Sequence, residues 1–81
     1  MNERSRILWR CRRGIREMDI LLQRFMEQNY PGLSKAEIRL FEELLEESDL
    51  DILAWITGKS TPEKTDYQIL IQRLQKLSST H

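Results

Sequence analysis

Few residues in this chain could carry covalent chemistry. The only histidine, His81, is the last residue, and the only cysteine, Cys11, has no acid or base partner visible in the sequence. A Cys/His nucleophile pair would need the tail to fold back across the domain. Glycine-rich phosphate loops, zinc-ligand spacings and H-E-x-x-H are all missing. The carboxylates of "EELLEES", Glu42, Glu43, Glu46 and Glu47, fall at spacings that give a solvated helix face with some attraction for a basic partner. Catalysis by this chain alone is therefore disfavoured. What remains is "RCRRGIREMD", Arg10 to Asp19, where four arginines surround Gly14 and two acids follow.

Elements must position that stretch, and the sequence supplies helices. Apolar residues recur at helical spacing almost throughout, without sustained strand alternation, so the expected fold is all-α. Ile7, Leu8 and Cys11 face inward from a short first helix that stops near Arg13, with Gly14 as its left-handed cap. From Ile15 a stronger stripe, Met18, Leu21, Leu22, Phe25 and Met26, runs to "NYPG". Ser34 and Glu37 form a capping box, with Leu33 and Ile38 as its hydrophobic staple. Ile38, Phe41, Leu44 and Leu45 then supply the buried face of the third helix.

The fourth helix is short. Ser48 or Asp49 caps it, Leu50, Leu53 and Ala54 form its inner face, Trp55 packs, and Gly58 stops it. A fifth begins with Thr61 as cap and Pro62 at the first helical position, and buries Tyr67, Leu70, Ile71, Leu74 and Leu77. Short connections favour a compact five-helix bundle forming one domain over 1–81, with a helical core of about 4–77 and a frayed tail over 78–81. With 81 residues and one cysteine, packing alone must stabilise it. No apolar run is long enough to cross a membrane, and the N-terminus lacks the pattern of a secretory signal, so a reducing, cytoplasmic setting is expected.

Lysine plus arginine and aspartate plus glutamate each total 13, so net charge selects no partner. Distribution does more. Met1 to Asp19 holds six arginines against three acids, a balance of +3, whereas Ser34 to Ile56 holds seven acids against two cations, a balance of −5. Arg10, Arg12 and Arg13 suit the negative end of helix one, and Glu17 and Asp19 suit the positive end of helix two. One or two charges would satisfy those dipoles. The added Arg4, Arg6 and Arg16, with Trp9 at the boundary of the first helix, have the composition of an interface, so a plain surface and a partner-binding patch both fit the physics. A nucleic-acid partner fits less well, because Glu17 and Asp19 interrupt the patch.

"RILWRCRRGIREMD" resembles the N-terminal signature of the succinate dehydrogenase assembly factor family, small proteins that promote covalent attachment of FAD to a flavoprotein subunit. The family's R-G-x-x-E motif reads here as Arg13, Gly14, Ile15, Arg16, Glu17, with isoleucine where members often carry methionine. The resemblance continues through "LSKAEIRLFEELLEESDLDILAWITG" and spans roughly Arg4 to Leu77. It implies a five-helix bundle that docks onto the flavoprotein subunit of succinate dehydrogenase, and often of fumarate reductase. The FAD would belong to the client, with no cofactor held by the factor itself. The lack of a transit-like leader points to the bacterial, cytoplasmic form. Arg6, Trp9, Arg10, Arg13, Gly14, Glu17 and Asp19 are the expected docking face, on a chain that is a monomer when free. The rival readings are a regulatory or antitoxin-like helical binder and, less favoured, a nucleic-acid adaptor.

Overall fold

A computed structural model describes residues 2–79, and among them the chain is helical, without strands. The helices are α1 (Glu3–Arg10), α2 (Arg16–Asn29), α3 (Lys35–Leu45), α4 (Asp49–Ile56) and α5 (Thr65–Ser79), with one turn of 3-10 helix at Tyr30–Gly32. The radius of gyration, 11.7 Å, is what one packed globule of this length gives.

Local chemistry explains most boundaries. The Asn2 side chain accepts from the Ser5 amide at 2.8 Å and starts α1. The α3 capping box is complete, with the Glu37 amide donating to Ser34 Oγ at 3.1 Å and the Ser34 amide donating to Glu37 Oε1 at 2.9 Å. Those bonds, led by the one from the Ser34 backbone, hold the Glu37 carboxyl below its ordinary pKa. Ser48 caps α4 by accepting from the Asp51 amide. At the far end of α4 the Lys59 amide donates to the Ala54 carbonyl and the Gly58 amide to Trp55, a Schellman closure that needs the left-handed φ of +79° at Gly58.

Three expected boundaries move. Helix α1 stops at Arg10, not Arg13, because the Arg13 amide donates to Asp19 Oδ1 at 2.7 Å and so leaves the helical ladder. Arg12 and Arg13 thus lie beyond the last turn of α1, while Gly14 does take the left-handed conformation, at φ +87°. Helix α5 starts at Thr65, so neither Thr61 nor Pro62 occupies the role expected of it. Pro62 is itself buried, and its carbonyl accepts from Gln68 Nε2 at 2.9 Å, which holds 59–64 as a loop. At the other end, α5 runs on through Ser78 and the backbone of Ser79, past the expected end of the helical core near 77, and the rest of the expected frayed tail, Thr80 and His81, lies outside the described residues.

The core draws on every helix. Ile7 comes from α1 and Cys11 from its C-terminal cap, Met18, Leu21, Leu22, Phe25 and Met26 from α2, and Phe41, Leu44 and Leu45 from α3. Ile52 comes from α4, and Tyr67, Leu70, Ile71 and Leu74 from α5. Phe25 and Phe41 meet with ring centroids 5.0 Å apart. Trp55 packs against Tyr67 at 6.0 Å, as expected for a packing residue. The expected inner face of α4 is corrected: Leu50 is 77 % exposed, and Ile52 is the fully buried residue. The rotation follows from Asp49, which is ion-paired to Arg13; Ile52, three residues on, shares its side of the helix and is turned inward with it.

Burial pushes the Cys11 thiol up to about 12, outweighing the lowering effect of Arg13. A neutral thiol is thus favoured in the folded chain, whereas the unfolded chain ionises near the ordinary thiol value of 9.0, so stability should fall as pH rises from about 9 toward about 12. Correspondingly, native protein at pH 8 should react with a thiol-specific reagent at least about 100-fold more slowly than protein in denaturant, as followed by absorbance. Equal rates would place Cys11 outside the core.

Candidate functional site

The connection from α1 to α2 lies against the connection from α3 to α4. This follows from the charge asymmetry, since the basic N-terminal segment folds onto the acidic third helix. Arg6 Nη1 meets Glu42 Oε1 at 2.5 Å, and Arg10 lies 3.7 Å from both Glu42 and Glu46. The acidic run is therefore only partly the solvated face that its spacing suggests. Glu42 is largely covered, at 21 % side-chain exposure, and shared between two arginines. Glu47 accepts a long bond from the Tyr67 hydroxyl, at 3.5 Å; burial first, then Glu47, pushes that hydroxyl's pKa up. Tyr30 Oη donates to Glu3 at 2.6 Å and ties the 3-10 turn to α1.

Arg13 is the most engaged of the motif residues. Its Nε donates to Asp49 Oδ1 at 2.7 Å, Nη1 to the carbonyls of Leu45 at 2.5 Å and Arg10 at 3.1 Å, and Nη2 to the Glu47 carbonyl at 3.0 Å. Leu45 ends α3 and Arg10 ends α1, so one guanidinium satisfies orphan carbonyls at two negative helix ends. No basic residue of α3 itself lies in its last turn, and Arg13 supplies that charge from elsewhere in the chain. Asp19 completes the junction. Its two oxygens accept from the amides of Arg13 and Gly14, at 2.7 and 3.2 Å, on the approach to a helix whose cap residue, Ile15, has no polar side chain.

The expected docking residues thus fall into two groups. Arg10, Arg13 and Asp19 are committed to contacts within the chain, and Arg6, though half exposed, is paired with Glu42. Trp9, Gly14 and Glu17 are exposed, and Trp9 keeps 60 % of its surface in solvent. A Cβ added at Gly14 would meet nothing within 4 Å, so among the described residues the ground above this glycine is open. Two residues of the same surface were absent from the expected set. Arg12 stacks over the Trp9 ring at 5.0 Å from its centroid, and Arg16 is exposed between Gly14 and Glu17. Their charge density was legible in the sequence, but which arginines would be consumed internally was not.

Glu17 also stands at the edge of a groove of about 600 Å³ lined by Met18, Ile20, Leu21, Leu53 and Ile56. Ile20 is 46 % exposed there. The surface therefore combines an aromatic–guanidinium stack, an open glycine, a free carboxylate and an apolar margin. Such a face suits recognition of another protein. Among the described residues no group of histidine, cysteine, aspartate or glutamate could hold a metal ion, and no helix is long and apolar enough to cross a membrane.

Comparison with known proteins places the chain in a family. Residues 5–78 match the family described as "Flavinator of succinate dehydrogenase". A protein of Coxiella burnetii named FAD assembly factor SdhE is 42 % identical over 75 residues, covering 93 % of this chain and 92 % of its own. Its namesake in Legionella pneumophila strain Paris is 40 % identical over 68 residues, covering 84 % and 86 %. A third, from Pectobacterium atrosepticum, is 35 % identical over 75 residues, covering 93 % and 85 %. With a family match over residues 5–78 and a relative 42 % identical over most of both chains, the chain belongs to the succinate dehydrogenase flavinator family, a family of assembly factors and not of enzymes.

Proposed function

We propose that this chain binds the flavoprotein subunit of succinate dehydrogenase through the surface around Trp9, Arg12, Gly14, Arg16 and Glu17, and so promotes covalent attachment of FAD to that subunit. The observation that carries this reading is the exposure of Gly14 and Glu17, with open space above the glycine, together with the exposure of Trp9. Arg6, Arg10, Arg13 and Asp19 belong to the same site as its support. FAD is the client's cargo, and the factor holds no cofactor of its own. It acts in the cytoplasm of a bacterium, as a monomer until it meets its client, and the flavoprotein of fumarate reductase is a second client of the same chemistry.

The factor contributes no nucleophile. Its action is to hold the client in an arrangement where the client's own groups align the flavin with the residue it joins, and to bring fixed charges to bear on that alignment. Gly14 admits the client's backbone, Glu17 offers a carboxylate acceptor, and the Trp9–Arg12 stack supplies a rigid anchor of large area. A nucleic-acid role is disfavoured further by the fold, because Arg6, Arg10 and Arg13 spend their charge on Glu42, Glu46 and Asp49.

The test is in-gel flavin fluorescence of the isolated flavoprotein subunit with FAD, with and without this protein. Fluorescence that rises only when the factor is present supports the reading; equal fluorescence in both lanes sinks it. Within that assay Trp9→Ala should weaken client affinity roughly tenfold or more, the effect of removing an aromatic anchor. Thermal stability should change by no more than about 0.5 kcal/mol, as usual for an exposed position.

A further inference from the structure

The arrangement around Arg13 separates two jobs that the linear motif runs together. Gly14 and Glu17 are open, whereas the Arg13 side chain is only 15 % exposed and directs Nε, Nη1 and Nη2 inward, so little of its hydrogen-bonding capacity faces outward. Its anchor lies far along the chain. Asp49 opens α4, Leu45 closes α3, and the Glu47 carbonyl lies between them. On the backbone side, Asp19 holds the Arg13 and Gly14 amides. The segment between α1 and α2 is therefore gripped from both directions, by a guanidinium reaching out of it and by a carboxylate reaching back into it.

We propose that Arg13 and Asp49 are positioning residues, which bind the α1–α2 connection to the α3–α4 turn and thereby fix where Gly14 and Glu17 stand relative to Trp9. The inference rests on the docking face proposed above and assigns Asp49, thirty-six positions from Arg13, to the same working unit. Lysine cannot replace the arginine. A single ammonium lacks the planar fork that reaches a carboxylate and three separated carbonyls at once.

The experiment uses the full chain and the flavoprotein subunit of succinate dehydrogenase as probe. Arg13→Lys, Asp49→Ala, their double variant and Glu17→Ala are compared in two readouts: amide hydrogen exchange at Gly14 in the free factor, and affinity for the subunit. Arg13→Lys and Asp49→Ala should each speed exchange at Gly14 by about tenfold or more and weaken binding by about tenfold, with the double variant no worse than the weaker single by more than about threefold. Glu17→Ala should weaken binding with exchange at Gly14 unchanged. Asp49→Ala keeps the test readable should Arg13→Lys fail to fold. If Asp49→Ala speeds exchange yet binds as wild type, or Arg13→Lys loses binding with exchange unaltered, the positioning role is overturned and Arg13 is a direct contact. If Glu17→Ala also keeps full affinity, the docking face itself falls, and the positioning role with it.

Discussion

At limiting factor, Glu17→Lys is expected to leave the client subunit at the flavin fluorescence it shows with no factor, while the variant itself remains a folded helical protein. Two effects of the substitution differ in size. Glu17 lies in the first turn of α2, where a carboxylate favours the helix dipole by about 0.3–1 kcal/mol, so reversing its charge costs about 1 kcal/mol or somewhat more. That corresponds to a melting point lower by about 4–8 °C for a domain of this size. At a protein interface, a like charge in place of a complementary one costs several kcal/mol, on the order of a hundredfold in affinity or more. Binding therefore suffers before folding does. Glu17→Gln separates the two, because it removes most of the dipole benefit but introduces no repulsion. Circular dichroism melts beside the fluorescence assay check both, and full flavinylation by Glu17→Lys at limiting factor would remove Glu17 from the site.

The largest effect on stability is expected at the aromatic centre of the core. Phe41 is fully buried and its ring lies 5.0 Å from that of Phe25. Phe41→Ala should cost about 3–5 kcal/mol, from lost transfer energy and the cavity left behind. A chain of 81 residues has a total stability of roughly 4–12 kcal/mol, so this single change removes about a quarter of it at least and can remove all of it. Urea denaturation followed by circular dichroism should show the midpoint shifted down with the slope retained. A loss below about 1 kcal/mol would mean that the two rings do not form the centre of the packing. Unlike Glu17→Lys, this variant should regain assembly activity on cooling or at excess factor, because its docking face is intact whenever it is folded.

Much of the fold was legible because its signals are local. Ser34 and Glu37 lie one turn apart, and the stripe from Met18 to Met26 carries its own period, so each element could be read without knowing its neighbours. The misreadings occur where a distant group intervenes. Arg13 leaves α1 because Asp19 takes its amide, and α4 turns Ile52 inward and Leu50 outward because Asp49 is drawn to Arg13. Thr61 and Pro62 form a good helix start by composition, yet Gln68 holds the Pro62 carbonyl in a loop. The site shows the same division. Arg6, Trp9, Arg10, Arg13, Gly14, Glu17 and Asp19 could all be named from the sequence, but their sorting into exposed face and internal support depends on Glu42, Glu46 and Asp49, which lie on other helices. Asp49 could be read only as a candidate cap of the fourth helix and as one acid in the excess that balances the basic N-terminal segment.

The four arginine–carboxylate links between the N-terminal segment and the α3–α4 region have a consequence beyond holding helices together. They place opposite charges within 2.5 to 3.7 Å of one another, so a chain that is strongly polarised along its length becomes nearly neutral over this part of its surface. Such a molecule casts little field beyond the Debye length of about 8 Å at physiological salt. Encounter with a partner is then a matter of diffusion and shape, at the ordinary rate of about 10⁵–10⁶ M⁻¹s⁻¹ and not the electrostatically steered one. Selectivity resides in the short-range fit once two surfaces touch.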